Sequence, residues 1–310
     1  MKNLLTLVGG IFIFTSCTDS YESDKTNDLS PILLRAEVVQ SSRTITDENG
    51  LSSFAEGDCI GLFIPGTEYA GEWSYDGYVW STGSNPTWEN REDDFEFCAF
   101  YPCSSGDITR ESVTMPDLTS QTGKLSDIGE KDFLVARCVT SYSDNDGVVS
   151  FTGSNSFEHV YSLLHVSIVT QDDNDVLITG CRFVGDGIVE KREYMFGSGA
   201  AEDETVSVGS SEGSTLEIDY NPSVSVSGGL DVVVMINPLP DGTYLDFSLF
   251  YEKDGNPYVA EVTLPGEFYK GNYNKIKLSW VKEGLIIQNN EIKDWNVITT
   301  DDILFQGAEL

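Results

Sequence analysis

Apolar side chains recur along this chain in short runs rich in β-branched and aromatic residues, separated by clusters of Gly, Asn, Asp and Pro. Few windows carry an apolar stripe at helical spacing, so the pattern predicts strands. Ile32–Val39 alternates after Pro31, and Ile60–Ile64 is a compact apolar run. Phe95–Tyr101 sets Phe95, Phe97, Ala99 and Tyr101 on one face, because successive side chains of a strand point to opposite sides. Further strands are predicted over Phe133–Val139, Val148–Phe151, Val160–Thr170, Val176–Val184, Leu216–Tyr220, Leu230–Ile236, Tyr244–Tyr251, Tyr258–Leu264, Tyr273–Val281 and Leu285–Ile287.

The turns between these runs are chemically explicit. Asp144-Asn145-Asp146-Gly147 and Lys253-Asp254-Gly255-Asn256 each join two strand runs, and Asp-Gly favours a tight hairpin because it accepts positive φ. Gly197–Ser214, rich in Gly and Ser, reads as a long mobile loop. Strands at this spacing with little helix predict an all-β chain of sandwiches or barrels. A length of 310 residues fits two sandwiches in tandem. The boundary is expected near residue 155, ahead of the long run Phe157–Thr170, giving units 31–155 and 156–310.

The first residues follow a different pattern. Lys2 precedes an apolar stretch from Leu4 to Phe14, and Thr15-Ser16 lead into Cys17. The stretch falls short of the roughly 20 apolar residues a spanning helix needs. Residues 1–17 therefore read as a lipoprotein signal peptide whose lipobox ends in a lipidated Cys17. Residues 18–30, with Asp19, Glu22, Asp24 and Asp28, read as a disordered acidic tether between lipid and fold. The expected location is the cell surface, on the outer membrane.

Charge narrows the partners. The chain carries 51 acidic and 18 basic side chains, a net charge of −33. Such a surface repels a nucleic-acid backbone, which excludes nucleic acid as a partner, and its self-repulsion favours solubility outside the cell. After Cys17, five cysteines remain: Cys59, Cys98, Cys103, Cys138 and Cys181. Five is odd, so at least one thiol stays free or pairs between molecules. No C-x-x-C spacing suggests zinc. Cys98 and Cys103 flank a segment that a disulfide would close into a small loop, while Cys59, Cys98 and Cys138 each also read as buried thiols in apolar runs.

Candidate chemistry is sparse. His159 and His165 are the only histidines, and their even spacing puts both on one face of a strand over Phe157–Thr170. No further ligands lie near them in sequence, so they read as structural. No G-x-S-x-G elbow and no Gly-rich strand-to-helix turn occur. Carboxylates are so abundant that any chosen glycosidase-like pair carries no information. The loops Ser143–Gly147 and Asp172–Asp175 lack the ligand order of a calcium hand. The reading is a non-enzymatic chain with no catalytic residue, metal or cofactor. Tyr69, Trp73, Tyr75, Tyr78, Trp80 and Trp88 crowd into one stretch. Trp73, Tyr78 and Trp80 are candidate glycan contacts, although such rings are equally ordinary buried sheet residues.

Several segments together resemble a known family. Phe54-Ala55-Glu56-Gly57-Asp58-Cys59-Ile60-Gly61-Leu62-Phe63 is similar to the F-x-x-G-D-x-I-G signature of the fimbrillin-like lipoproteins, the subunits of type V pili. Phe95–Pro102 resembles the family's aromatic strand ending in A-x-Y-P, and Lys131–Ala136 its D-hydrophobic-hydrophobic-x-A strand. Phe157–Val166 resembles its F-x-H motif, and Gly271–Asn274 with Ile292–Trp295 its closing pattern. The resemblance implies two tandem transthyretin-like β-sandwich domains and export as a lipidated outer-membrane precursor.

It also implies an assembly route. An Arg/Lys-specific protease cuts after the first strand, that strand leaves, and a strand of another pilus subunit fills the groove by β-strand addition. The removable strand would be Ile32, Leu33, Leu34, Arg35, Ala36, Glu37, Val38 and Val39, with cleavage at Arg43. A donor segment would come from the C-terminal end, through Val297, Ile298, Ile303 and Phe305. The expected function is a structural pilus subunit. The competing reading is a surface adhesin or glycan-binding lipoprotein that never polymerises.

Overall fold

The computed structural model describes residues 30–38, 53–170, 176–209, 213–281 and 284–294. These residues form an all-β structure with a few single helical turns. In chain order the strands are β1 (Leu33–Ala36), β2 (Cys59–Phe63), β3 (Gly71–Tyr75), β4 (Trp80–Ser81), β5 (Phe95–Tyr101), β6 (Val113–Thr114), β7 (Leu134–Thr140), β8 (Val148–Phe151), β9 (Glu158–His159) and β10 (Ser162–Thr170). They continue with β11 (Leu177–Val184), β12 (Arg192–Met195), β13 (Glu204–Ser207), β14 (Thr215–Ser225), β15 (Leu230–Ile236), β16 (Leu245–Lys253), β17 (Asn256–Leu264), β18 (Asn272–Val281) and β19 (Gly284–Asp294).

The first half is organised by an antiparallel sheet in the order β4-β3-β2-β5-β7-β9. Its central strands are apolar on both faces, as a strand covered on both sides must be. Register explains the split. Phe97, Ala99 and Tyr101 on β5 lie opposite Cys138, Ala136 and Leu134 on β7 and share one core with Ile60 and Leu62. The alternate positions Phe63, Cys98, Phe100 and Val135 join a second core on the other face. The first face is covered by a parallel pair, β1 with β8.

The second face is covered by the second half of the chain. Tyr194 on β12 and the neighbouring Phe196 pack against Phe133 and Phe63 at ring separations of 5.8 and 5.7 Å. β12 sits between β6 of the first half and β13. Two four-stranded sheets, β15-β10-β18-β19 and β14-β11-β16-β17, enclose the rest of that core. Tyr251 on β16 meets Trp280 on β18 edge-on at 4.8 Å, which fixes the two sheets face to face.

The structure corrects several sequence expectations. Gly197–Ser214 is not a loop throughout, because β13 lies inside it and pairs with β12. The Asp144–Gly147 segment closes no hairpin. Tyr142–Asn145 is a helical turn capped by Ser141, and the strands on either side, β7 and β8, belong to different sheets. Asp254-Gly255 does close a two-residue hairpin, with φ of 51° and 75° between the paired Lys253 and Asn256. Phe157–Thr170 is not one strand. It breaks at Val160-Tyr161, so His159 lies on β9 of the first half and His165 on β10 of the second.

Candidate functional site

β1 occupies a slot on the six-stranded sheet. From Pro31 to Val38 its residues alternate strictly between outward and inward positions. Ile32 and Val38 are each only 4% exposed, and Leu34 and Ala36 pack against the same core. Leu33, Arg35 and Glu37 face outward, with an exposed Arg35–Glu37 ion pair at 2.9 Å. This is the alternation that sequence predicted for the strand, and it places the inward set over Leu62, Ala99 and Ala136 in the same core.

The backbone of β1 is held along its length. Leu33 N–H donates to Gly147 O at 3.1 Å, and Glu37 N–H donates to Phe151 O at 2.9 Å. At one end Ile32 N–H donates to Pro86 O and Trp88 N–H to Ser30 O. At the other, Phe157 N–H donates to Glu37 O. The Trp88 indole N–H reaches Gly147 O at 3.1 Å, tying the Pro86–Trp88 strap to the turn before β8. Sequence reading identified neither this strap nor β8 as the neighbours of β1.

The motif residues converge beneath the slot. Phe54 packs edge-on against Trp80, Tyr101 and Phe157, with centroids 5.0, 5.7 and 5.2 Å away. Asp58 accepts from Ala55 N–H at 2.6 Å and from Tyr101 O–H at 3.2 Å. Gly57 has φ of +96°, a conformation that suits glycine. A Cβ on Gly61 would lie 2.2 Å from the ring of Phe100. The glycines of this segment therefore serve a turn and a close approach.

The other candidate residues separate. Cys59 is bonded to Cys103, with Cα atoms 5.2 Å apart. The Cys98–Cys103 alternative is excluded, because Cys98 points from the middle of β5 into the opposite core. Cys59 is thus not a free buried thiol, whereas Cys98, Cys138 and Cys181 are. Trp73 and Trp80 turn into the core, where Tyr75 stacks on Trp80 at 5.0 Å. Tyr78 stands 91% exposed at the tip of the β3–β4 turn. There the Val79 and Tyr78 amides donate to Asp76 and hold its carboxyl below the ordinary carboxylate range. The three rings form no common platform. His159 is buried beside Asp132 at 2.8 Å. Cys17, Val39, Arg43, Val297, Ile298, Ile303 and Phe305 lie outside the described residues, as do Asp172–Asp175. Among the described residues, no cluster of three or more metal-ligating side chains forms, and no helix is long and apolar enough to cross a membrane.

The sequence profile described as fimbrillin-like matches residues 42–295. The chain belongs to the fimbrillin-like family. Among solved structures, a candidate cell adhesion protein from Bacteroides ovatus is 13% identical, with a TM-score of 0.59 over 87% of this chain and 99% of that one. A second, from Bacteroides uniformis, is 15% identical, with a TM-score of 0.56 over 86% and 99%. At these identities the likeness is one of fold. Among curated proteins, none matches the chain by sequence. Placed on this fold, the fimbrillin-like signature beginning at Phe54 forms the floor under β1.

Proposed function

We propose that this fimbrillin-like chain is a structural subunit of a type V pilus, exported as a lipoprotein through Cys17 and assembled by strand exchange. The carrying observation is β1 itself. Four residues of regular strand fill a slot with every second side chain and pair along one edge with β8 alone. Loss of such a strand strips the Glu37 donor from the Phe151 carbonyl, leaves Gly147 O only the Trp88 indole N–H, and vacates apolar positions, the conditions for accepting a strand from another chain. In this reading an Arg/Lys-specific protease cuts at Arg43. The C-terminal segment containing Val297, Ile298, Ile303 and Phe305 donates the replacement. Residues 31–155 and 156–310 act as two sandwich units, although β12 lies across the junction.

The test is direct. The purified precursor is treated with a trypsin-like protease and resolved on SDS gels without boiling. SDS-resistant ladders support the proposal. A protein that remains monomeric after clean cleavage at Arg43 overturns it and leaves a surface adhesin that does not polymerise. That second reading draws on the cell adhesion description of the two solved relatives.

A further inference from the structure

A second feature lies on the outer face of the β10–β18–β19 sheet. There a depression of about 280 Å³ is lined by His165, Ser167, Lys275, Lys277, Asn289 and Glu291. Register builds it from two adjacent rows. His165, Lys275 and Glu291 lie side by side across the three strands, and Ser167, Lys277 and Asn289 form the next row. The β18–β19 ladder then slips, with Lys277 opposite Asn289 but Leu278 opposite Ile287. The extra residue, Gln288, bulges the strand beside the depression, a device that re-aims side chains.

The two lysines are not equivalent. Lys275 lies opposite Glu291 and 5.5 Å from the ring centroid of Tyr273. The two cross-strand neighbours of Lys277, Ser167 and Asn289, are neutral, the row ends at Asp231 beyond Ser167, whose hydroxyl donates to that carboxylate, and among the described residues Lys277 forms no ion pair. The carboxylate of Asp231 on β15 is engaged by His165 Nε2 at 2.8 Å, while His165 Nδ1 meets Tyr273 Oη at 3.1 Å. In a chain of net charge −33, an unpaired ammonium flanked by a hydroxyl and an amide is a local anion site. A charge-assisted hydrogen bond there is roughly twice as strong as a neutral one.

Size and lining narrow the ligand. The volume lies just below the roughly 300–1,000 Å³ range of small-molecule pockets, which suits one sugar ring better than a longer ligand. The Tyr273 ring is buried and lies parallel to His165, so it offers no open face for stacking. Recognition must come from charge and hydroxyl contacts. We propose that this depression binds an acidic monosaccharide unit, with its carboxylate on Lys277 and its hydroxyls on Ser167, Asn289 and Glu291. This site goes beyond the pilus reading and stands whether or not the chain polymerises.

The probes are D-glucuronate, D-glucose and acetate, titrated into the full chain and followed by calorimetry or by amide shifts. Glucuronate is expected to saturate with a dissociation constant of about 1–10 mM. Glucose lacks the charge and acetate lacks the hydroxyls, so each should bind at least about tenfold more weakly. Lys277→Gln should weaken glucuronate about tenfold, and Asn289→Ala about threefold, with unchanged melting temperatures because both positions are exposed. Glucose or acetate binding as tightly as glucuronate would overturn the proposal. So would glucuronate affinity unmoved by Lys277→Gln, or no saturation up to about 100 mM.

Discussion

Arg137 on β7 and Asp203 ahead of β13 join the two halves of the chain through a contact of 2.6 Å, with each side chain only 13% exposed. Asp203 also accepts from Gly197 N–H at 2.9 Å and from Tyr194 O–H at 3.0 Å. Arg137 in turn donates to Glu96, which accepts from Arg110 as well. Removing one member of such a group leaves its partner charged and largely dry. Arg137→Met should therefore cost about 2–4 kcal/mol in urea unfolding. Arg137→Met combined with Asp203→Leu should recover much of that loss. Purely additive losses would show that the pair is not coupled.

The slot makes a prediction about local opening. Ile32→Ala and Val38→Ala each remove inward methyl groups from β1, and each should cost about 2 kcal/mol. If β1 opens as a unit of its own, that cost should accelerate hydrogen exchange at Leu33 and Glu37 by roughly thirtyfold. Amides at the centre of β5 should be unmoved. Equal acceleration in β5 would mean that β1 leaves only when the whole fold does, and release by a single cut would be excluded.

Local signals were legible and long-range ones were not. The period-two alternation of Ile32 to Val38 revealed the inward face of β1, because that pattern is written in neighbouring residues. Its parallel partner β8 lies more than a hundred positions away along the chain, and no local pattern specifies it. The Asp254-Gly255 hairpin is a two-residue decision and was read correctly. β12 and β13 carry no apolar run and are strands only because β6 and the Asp203 group hold them, so composition suggested a loop over β13 and no strand at β12. β19 was read only over its apolar start, since Gln288–Asn290 is polar edge strand. For Cys103 the sequence suggested only the nearby Cys98, whereas its partner Cys59 lies 44 residues away and is brought to it by the β2–β5 pairing.

Gly61 offers a test of the signature segment. It lies on β2 opposite Phe100, and a Cβ there would stand 2.2 and 2.3 Å from two ring atoms. Phe100 is buried between Phe63 and Phe133 at 5.7 and 6.4 Å, so it has no free volume into which to move. Gly61→Ala should destabilise by about 1–3 kcal/mol through overpacking. The double variant Gly61→Ala/Phe100→Leu should be less destabilised than the sum of the two single changes. Both are read from thermal melts, and additivity of the two would remove the steric explanation.

Burial of three free thiols gives the chain an alkaline limit. Burial pushes Cys98 up to about 11 and Cys138 and Cys181 up to about 12, from an ordinary value of 9.0. Well below pH 9 these thiols are protonated whether the chain is folded or unfolded, and their packing contribution is complete. Between pH 9 and 11 the unfolded chain loses these protons while the folded chain keeps them, so stability must fall as pH rises. Unfolding midpoints in urea should decline across that window, and Cys98→Ala/Cys138→Ala should flatten the decline. Iodoacetamide at pH 8 should leave all three thiols unmodified in the folded chain and label them after denaturation. Reduction of the Cys59–Cys103 bond, 44 residues apart, should lower stability by about 2–4 kcal/mol without exposing the buried three. Labelling of Cys98 in the native chain at pH 8 would mean that the second core opens readily. The sheet face that meets Phe196 through Phe63 on β2 would then be a moving surface instead of a fixed support for the slot.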